Sequence, residues 1–142
     1  MIDQTKMTRS FFETLHPLLS RLNAERTLSP GKLGVLRYLS EHGRATTSEL
    51  ALAGRVSPQG ISLAARELER LQLVTRVPDN VDRRRVWIEL TDEGSRKFTQ
   101  EVSAGYSWLD RTVRERLTPE DFKALEAVIP VLSKLASEAT SG

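Results

Sequence analysis

Ser57-Pro58-Gln59-Gly60-Ile61-Ser62-Leu63-Ala64-Ala65-Arg66-Glu67-Leu68-Glu69-Arg70-Leu71 is the stretch on which the reading of this chain turns. Ser57 is a good helix N-cap, its hydroxyl placed to accept from a first-turn backbone N–H, and Pro58 at the first helical position forfeits no hydrogen bond. Ile61, Ala64, Ala65, Leu68 and Leu71 recur at three- and four-residue spacing and predict a stripe facing a core. Gln59, Ser62, Arg66 and Arg70 fall mostly on the other side. They are hydrogen-bonding types that reach base edges and phosphates in a major groove. An ordinary amphipathic surface helix has the same pattern, so the flanking sequence decides.

Immediately upstream, Thr46-Thr47-Ser48-Glu49 matches a capping box opening a short helix through Leu50, Leu52 and Ala53, with Gly54 closing it. Two short helices joined across Gly54-Arg55-Val56, the second with a polar outer face, form the helix-turn-helix pattern. Ser29-Pro30 repeats the cap-then-proline opening, and Leu33, Leu36, Tyr38 and Leu39 mark a helix ending before Gly43, read as a left-handed C-cap. From about Thr8 to Leu22, Phe11, Leu15, Leu18, Leu19 and Leu22 keep helical spacing, with Phe12 beside the stripe. Pro17 predicts a bend or interruption of that helix near His16.

Downstream, Leu73-Val74-Thr75-Arg76-Val77 and Val86-Trp87-Ile88-Glu89-Leu90 are β-prone runs on either side of Pro78-Asp79-Asn80. They predict a hairpin whose tip carries Arg83-Arg84-Arg85, a cationic finger suited to the narrow, negative minor groove. Trp87 is expected to pack under the hairpin, the alternative being a place against sugar. Thr91-Asp92-Glu93-Gly94 caps a long helix, its acids at the positive end. Phe98, Val102, Tyr106 with Gly105, Leu109, Val113 and Leu117 carry that helix to Thr118, about 26 residues spanning about 39 Å. Thr118-Pro119 opens a last helix through Phe122, Leu125, Ile129, Leu132 and Leu135, bent at Pro130, and Ala139 to Gly142 read as a frayed end.

The expected fold is mainly α with a small β-hairpin (α+β): a winged helix-turn-helix lobe over 28–91 within a single chain, 1–142. The terminal segments, 1–27 and 92–142, carry more apolar surface than the central lobe can cover. They are read as helices that interleave with those of a second copy in a two-fold dimer. Two recognition helices about 34 Å apart would then meet successive major grooves of a palindromic site.

Composition sets limits on the alternatives. A chain of 142 residues can bury a core without staples, and with no cysteine and only His16 and His42 it offers neither disulfides nor a cysteine or histidine metal site. No long apolar run or leader is apparent, which predicts a cytoplasmic protein without a membrane partner. Net charge is only +2, yet residues 44–85 hold eight arginines and no lysine against five acids, giving that segment +3. Arginine is the side chain suited to bidentate contact with phosphate and guanine. No nucleophile–base pair, glycine-rich phosphate loop or metal spacing is present, so no catalytic residue and no cofactor is expected. The alternative is a winged-helix architectural or protein-interaction module with little sequence preference, against which the wing arginines count.

Leu28-Ser29-Pro30, Ser48-Glu49-Leu50-Ala51, Val56-Ser57, Leu68-Glu69-Arg70-Leu71 with Leu73-Val74, and above all Asp82-Arg83-Arg84 followed by Leu90-Thr91-Asp92-Glu93-Gly94 resemble the MarR family of bacterial transcriptional regulators over nearly the whole chain. The resemblance implies a homodimeric repressor that binds palindromic operator DNA and releases it on binding a small, frequently aromatic or phenolic ligand. By that resemblance Arg84 enters the minor groove and Asp82 braces the wing through an ion pair. The DNA-contacting set becomes Thr47, Ser57, Gln59, Gly60, Ser62, Leu63, Arg66, Arg83, Arg84 and Arg85. Two residues depart from the family pattern. Leu63 stands where many members have a polar or basic reader, and Gln72 stands where a glycine usually closes the recognition helix, although Gln tolerates positive φ poorly. Phe12, His16, Tyr38 and Trp108 are candidates by position for the effector pocket. The lack of Cys argues against the family's thiol-oxidising branch, and the scarcity of His against its zinc-sensing one.

Overall fold

Local cap chemistry sets where most of the helices begin in the computed structural model, which describes residues 3–137; the expected frayed end at 139–142 lies outside them. Asp3 caps α1 (Gln4–Ala24), its carboxylate accepting from Thr5 N–H. Ser29 caps α2 (Pro30–His42), Thr46 caps α3 (Thr47–Gly54), Ser57 caps α4 (Pro58–Arg70) and Thr118 caps α6 (Pro119–Ala136). Of these, α2, α4 and α6 place proline directly after the cap. At Thr118 the capping box is reciprocal, Asp121 accepting from the Thr118 N–H in return. At Thr46 only the forward bond forms, Glu49 N–H to Thr46 Oγ1 at 3.1 Å. The long helix is α5 (Asp92–Arg116).

The hairpin strands are β2 (Val74–Pro78) and β3 (Val86–Leu90), and β3 also pairs with a two-residue strand, β1 (Ala45–Thr46). The expected two-stranded wing is therefore a three-stranded antiparallel sheet of order β1-β3-β2. β1 carries no alternation of its own. It exists because the inner edge of β3 would otherwise leave backbone groups unpaired.

By internal packing the chain forms two units, one up to Tyr106 and one from Ser107 onward. The first holds the core: Val35, Leu36 and Leu39 of α2, Leu50 and Ala51 of α3, Ile61, Ala65 and Leu68 of α4, and Ala45, Leu73, Val74 and Ile88 at the sheet. Leu36, Leu68, Val74 and Ile88 are almost wholly buried. The second comprises the end of α5 and α6, and α6 has no buried residue.

Several expectations change. The interruption that Pro17 offered as the alternative to a bend does not occur: α1 runs as one helix through Pro17, as α6 does through Pro130; each proline forgoes only its own N–H bond to the preceding turn. Gly54 is the last residue of α3, and the left-handed position falls on Arg55 (φ 53°, ψ 41°). Gly43 has positive φ (83°) with extended ψ (−165°), so it is not a left-handed helical cap. Leu71, read as part of the core stripe, is 45% exposed because α4 stops at Arg70 and the chain turns away. Gln72 does take the glycine-like conformation, at φ 63°. Leu73 N–H donates to Leu68 O and Gln72 N–H to Glu69 O, both at 2.9 Å, the paired bonds of a Schellman motif.

The start of α5 is locked to that turn. Thr91 N–H donates to Leu73 O at 3.1 Å, and the Thr91 hydroxyl donates to Gln72 O at 2.7 Å while accepting from Gly94 N–H at 2.9 Å. Gly94 is buried there, and a Cβ on it would collide with the Leu73 carbonyl oxygen. This close approach is the physical content of the Leu-Thr-x-x-Gly string.

Candidate nucleic-acid interface

The inner face of α4 is anchored and its outer face is left open. Ile61, Ala65 and Leu68 are buried, whereas Ser57, Gln59, Gly60, Leu63 and Arg66 are exposed and Ser62 is half-buried. Pro58, Gln59, Ser62, Leu63 and Arg66 line one shallow hollow on that outer face. Thr47, the first residue of α3, is half-buried. Ser57 Oγ accepts from Gly60 N–H at 3.1 Å, so the serine is committed to its cap.

The acids of α4 are paired with cations of neighbouring elements at the surface of the lobe. Glu67 pairs with Lys32 of α2, whose hydrogen bond holds the Glu67 carboxyl below its ordinary range. Glu69 Oε1 accepts from Nε and a terminal nitrogen of Arg76 on β2, both at 3.1 Å, with the same effect on its titration. With both carboxylates engaged by cations of neighbouring elements, Arg66 gives the outward face its positive character.

The wing tip is an ordered loop. Asp79 N–H donates to Arg85 O and Arg85 N–H to Asp82 O, each at 3.0 Å. Asp79 Oδ1 accepts from Val81 N–H at 2.8 Å, and its carboxyl is held below the usual range first by that backbone bond and further by the Trp87 indole and the Arg85 charge. Asp82 Oδ1 accepts from the backbone N–H of Arg84 at 3.0 Å and from its Nε at 3.3 Å, yet the Arg84 side chain is 93% exposed. Arg83 is also exposed. Arg85 is exposed as well, and its guanidinium lies 5.7 Å from the centroid of the Trp87 ring.

Two groupings escaped sequence reasoning. On the sheet's outer face Arg44 stacks over Trp87 at 4.3 Å, and the indole N–H donates to Asp79 Oδ2 at 3.3 Å. The β1 strand that brings Arg44 there had no periodic signal. The second is Glu101 on α5, 3% exposed, which accepts from Thr27 N–H at 2.9 Å, from the Thr27 hydroxyl, and from Lys97 at 3.1 Å. Burial pushes the Glu101 carboxyl up, but the Thr27 and Lys97 bonds outweigh it and leave it below its ordinary value. Its partner Thr27 is 74 residues away in sequence, and no local pattern links them.

Phe12 is exposed and tilts against His16 on α1, ring centroids 5.7 Å apart, while Tyr38 stacks on His42 at 4.3 Å. Trp108 is buried and belongs to the second unit. An apolar concavity of about 440 Å³ between α2, α3 and α4 is lined by Tyr38 with Leu50, Val56 and Ile61, and neither Phe12 nor His16 reaches it. Among the described residues no cluster of three acidic, His or Cys side chains could hold a metal ion, and no helix is long and apolar enough to cross a membrane.

Comparison with known proteins follows the same outline. The model of the MarR family matches residues 27–85. The HTH-type transcriptional repressor MdtR of Bacillus subtilis is 32% identical over 139 residues, covering 98% of this chain and 87% of that protein. The YusO protein of Bacillus subtilis superposes with a TM-score of 0.74 at 26% identity, covering 95% of this chain and all of that one. Sco3205, a MarR family transcriptional regulator of Streptomyces coelicolor solved in complex with DNA, shares the fold with a TM-score of 0.69 at 24% identity, covering 96% and 89% of the two chains.

Proposed function

This chain belongs to the MarR family of DNA-binding transcriptional regulators, a family of regulators rather than enzymes, and from that premise we propose that it is a cytoplasmic repressor that binds palindromic operator DNA as a homodimer. In this reading the lobe 28–91 carries DNA contact and the segments 1–27 and 92–142 make the dimer. Gln59, Ser62, Leu63 and Arg66 face bases and phosphates in the major groove, with Thr47, Ser57 and Gly60 at the approach to the backbone. Arg84 enters the minor groove with Arg83 and Arg85 beside it in the cationic wing tip, and Asp82 braces Arg84.

The observation that carries the reading is a single lobe in which a helix, pinned on its inner face, leaves Gln59, Leu63 and Arg66 outward, beside a wing that projects a 93% exposed arginine. Leu63, 61% exposed, suits an apolar contact such as a thymine methyl. Support for the dimer comes from apolar faces that the chain leaves uncovered. Phe12 is 64%, Ile129 58% and Leu135 71% exposed, and neither α1 nor α6 has a buried residue. Support for repression is the name of the MdtR relative. Release by a small aromatic ligand, with Phe12, His16, Tyr38 and Trp108 as candidate contacts, completes the proposal.

Gel-shift titration over a salt series tests it, using a duplex that the protein selects from a random-sequence library. Sequence-selective binding with a steep negative salt slope is expected. Arg84→Ala should weaken binding by about 1–3 kcal/mol with little change in melting temperature, since the side chain packs on almost nothing. Equal binding to all sequences, or a strictly monomeric protein at micromolar concentration, would overturn the reading.

A further inference from the structure

We propose that Trp87 is the positioning residue of the wing, fixing the arginine tip relative to the helix-turn-helix; this rests on the DNA-binding reading above. The geometry is a connected path. Trp87 stands directly opposite Thr46 on β1 and Val77 on β2, in the middle of the three-stranded sheet. Thr46 is the residue that caps α3, so the strand position holding Trp87 is also the one from which the helix-turn-helix starts.

Ile88 beside it points into the core and is fully buried, which sends the indole to the outer face of the sheet. There Arg44 covers it at 4.3 Å, with Arg85 further off at 5.7 Å. The Arg44 guanidinium also lies 3.9 Å from Glu89, which keeps it over the sheet. A guanidinium over an indole face is attracted by the ring quadrupole, and Trp is the aromatic that does this best.

From the indole the path continues to the tip. Its N–H donates to Asp79 Oδ2, the other oxygen of Asp79 accepts from Val81 N–H, and Asp79 N–H donates to Arg85 O. Arg85 N–H in turn donates to Asp82 O, and Asp82 holds Arg84 by its backbone N–H and by Nε. Every step from the cap of α3 to Arg84 is a strand pairing, a stack or a hydrogen bond. Without the indole, Asp79 loses a donor and both arginines lose their platform, and the tip keeps only its own turn bonds. Arg85 is exposed like Arg83 and Arg84, and of the three it is the one whose guanidinium also lies near the indole.

A double-mutant cycle on the full-length protein tests the assignment, using a duplex selected from a random library by the parent protein. Trp87→Leu keeps an apolar, strand-compatible side chain without the π-face or the N–H. It should weaken binding about tenfold and lower the salt slope by about one. In an Arg83→Ala/Arg84→Ala background the same substitution should change affinity by less than about twofold, because the group it positions is gone. Trp87→Phe keeps a flat ring but no donor and should show a smaller loss that also vanishes in that background; it carries the test if Trp87→Leu fails to fold. An equal loss with and without the tip arginines, or unchanged affinity in a folded variant, overturns the proposal. Failure of the parent to select any duplex strikes the DNA-binding reading itself.

Discussion

Replacing Gly94 by alanine should be among the most damaging single-methyl additions this chain can suffer. In a helix interior alanine is preferred over glycine by about 1 kcal/mol, so propensity alone predicts a gain. The structure reverses the sign. The new Cβ would fall inside the contact distance of the Leu73 carbonyl oxygen, 2.7 Å from Leu90 Cδ1 and 3.0 Å from the Leu73 carbonyl carbon. Relief requires α5 to lift from the exit of α4, and the bonds there are Thr91 N–H to Leu73 O at 3.1 Å and Thr91 Oγ1 to Gln72 O at 2.7 Å. Losing them costs about 1 kcal/mol each, more where a partner stays buried, and forcing atoms into a packed site adds about 1–3 kcal/mol. After the propensity gain the net loss is about 2–4 kcal/mol, a large part of a typical domain stability of about 5–15 kcal/mol. Urea denaturation followed by far-ultraviolet circular dichroism, at one fixed protein concentration so that any association contributes equally, measures it. Gly34→Ala is the internal control: a Cβ there meets nothing within 4 Å, so that variant should hold or gain up to about 1 kcal/mol. If Gly94→Ala unfolds at the same urea concentration as Gly34→Ala, the close approach of α5 to Leu73 is wrong.

Gln72→Gly should stabilise the chain by about 0.5–1 kcal/mol, since relief of a left-handed side chain outweighs the extra freedom glycine brings to the unfolded state; a loss of stability in thermal melts would show that the Gln72 side chain contributes packing not seen here. Glu101 titrates below its ordinary value of 4.5 in the folded chain, so the folded chain binds its proton less readily than the unfolded chain does. Its contribution is therefore complete above about pH 4.5 and is lost as pH falls through the lower, folded value. Glu101→Gln should reduce stability at pH 7 by about 2 kcal/mol and flatten the acid limb; an unchanged acid limb would mean that another carboxylate dominates it.

Features written in adjacent residues could be read from the sequence. Ser29, Ser57 and Thr118 each cap the helix expected of them because the donor they satisfy lies three residues ahead. The strand β3 likewise shows its alternation, with Ile88 inward and Trp87 outward. What escaped depends on partners distant in the chain. β1 is two residues long and is defined by the edge of β3. Glu101 looks like any charged residue on an amphipathic helix until Thr27 arrives beside it. Leu71 satisfied the helical period, but the period could not show that the helix would end one residue earlier. Gln59, Leu63 and Arg66 on α4 and Arg83, Arg84 and Arg85 at the wing tip are all exposed, while the approach of the Arg85 guanidinium to Trp87 had no signal in the sequence.

The opening of α4 on proline and its sealed exit have a joint consequence. A residue before proline is barred from helical backbone, so α4 cannot lengthen backward past Ser57. The Schellman bonds from Gln72 and Leu73 stop it unravelling forward. With both ends set by local chemistry, the thirteen residues of α4 keep one length and one register, so the side chains on its outer face hold their spacing independently of anything that meets them.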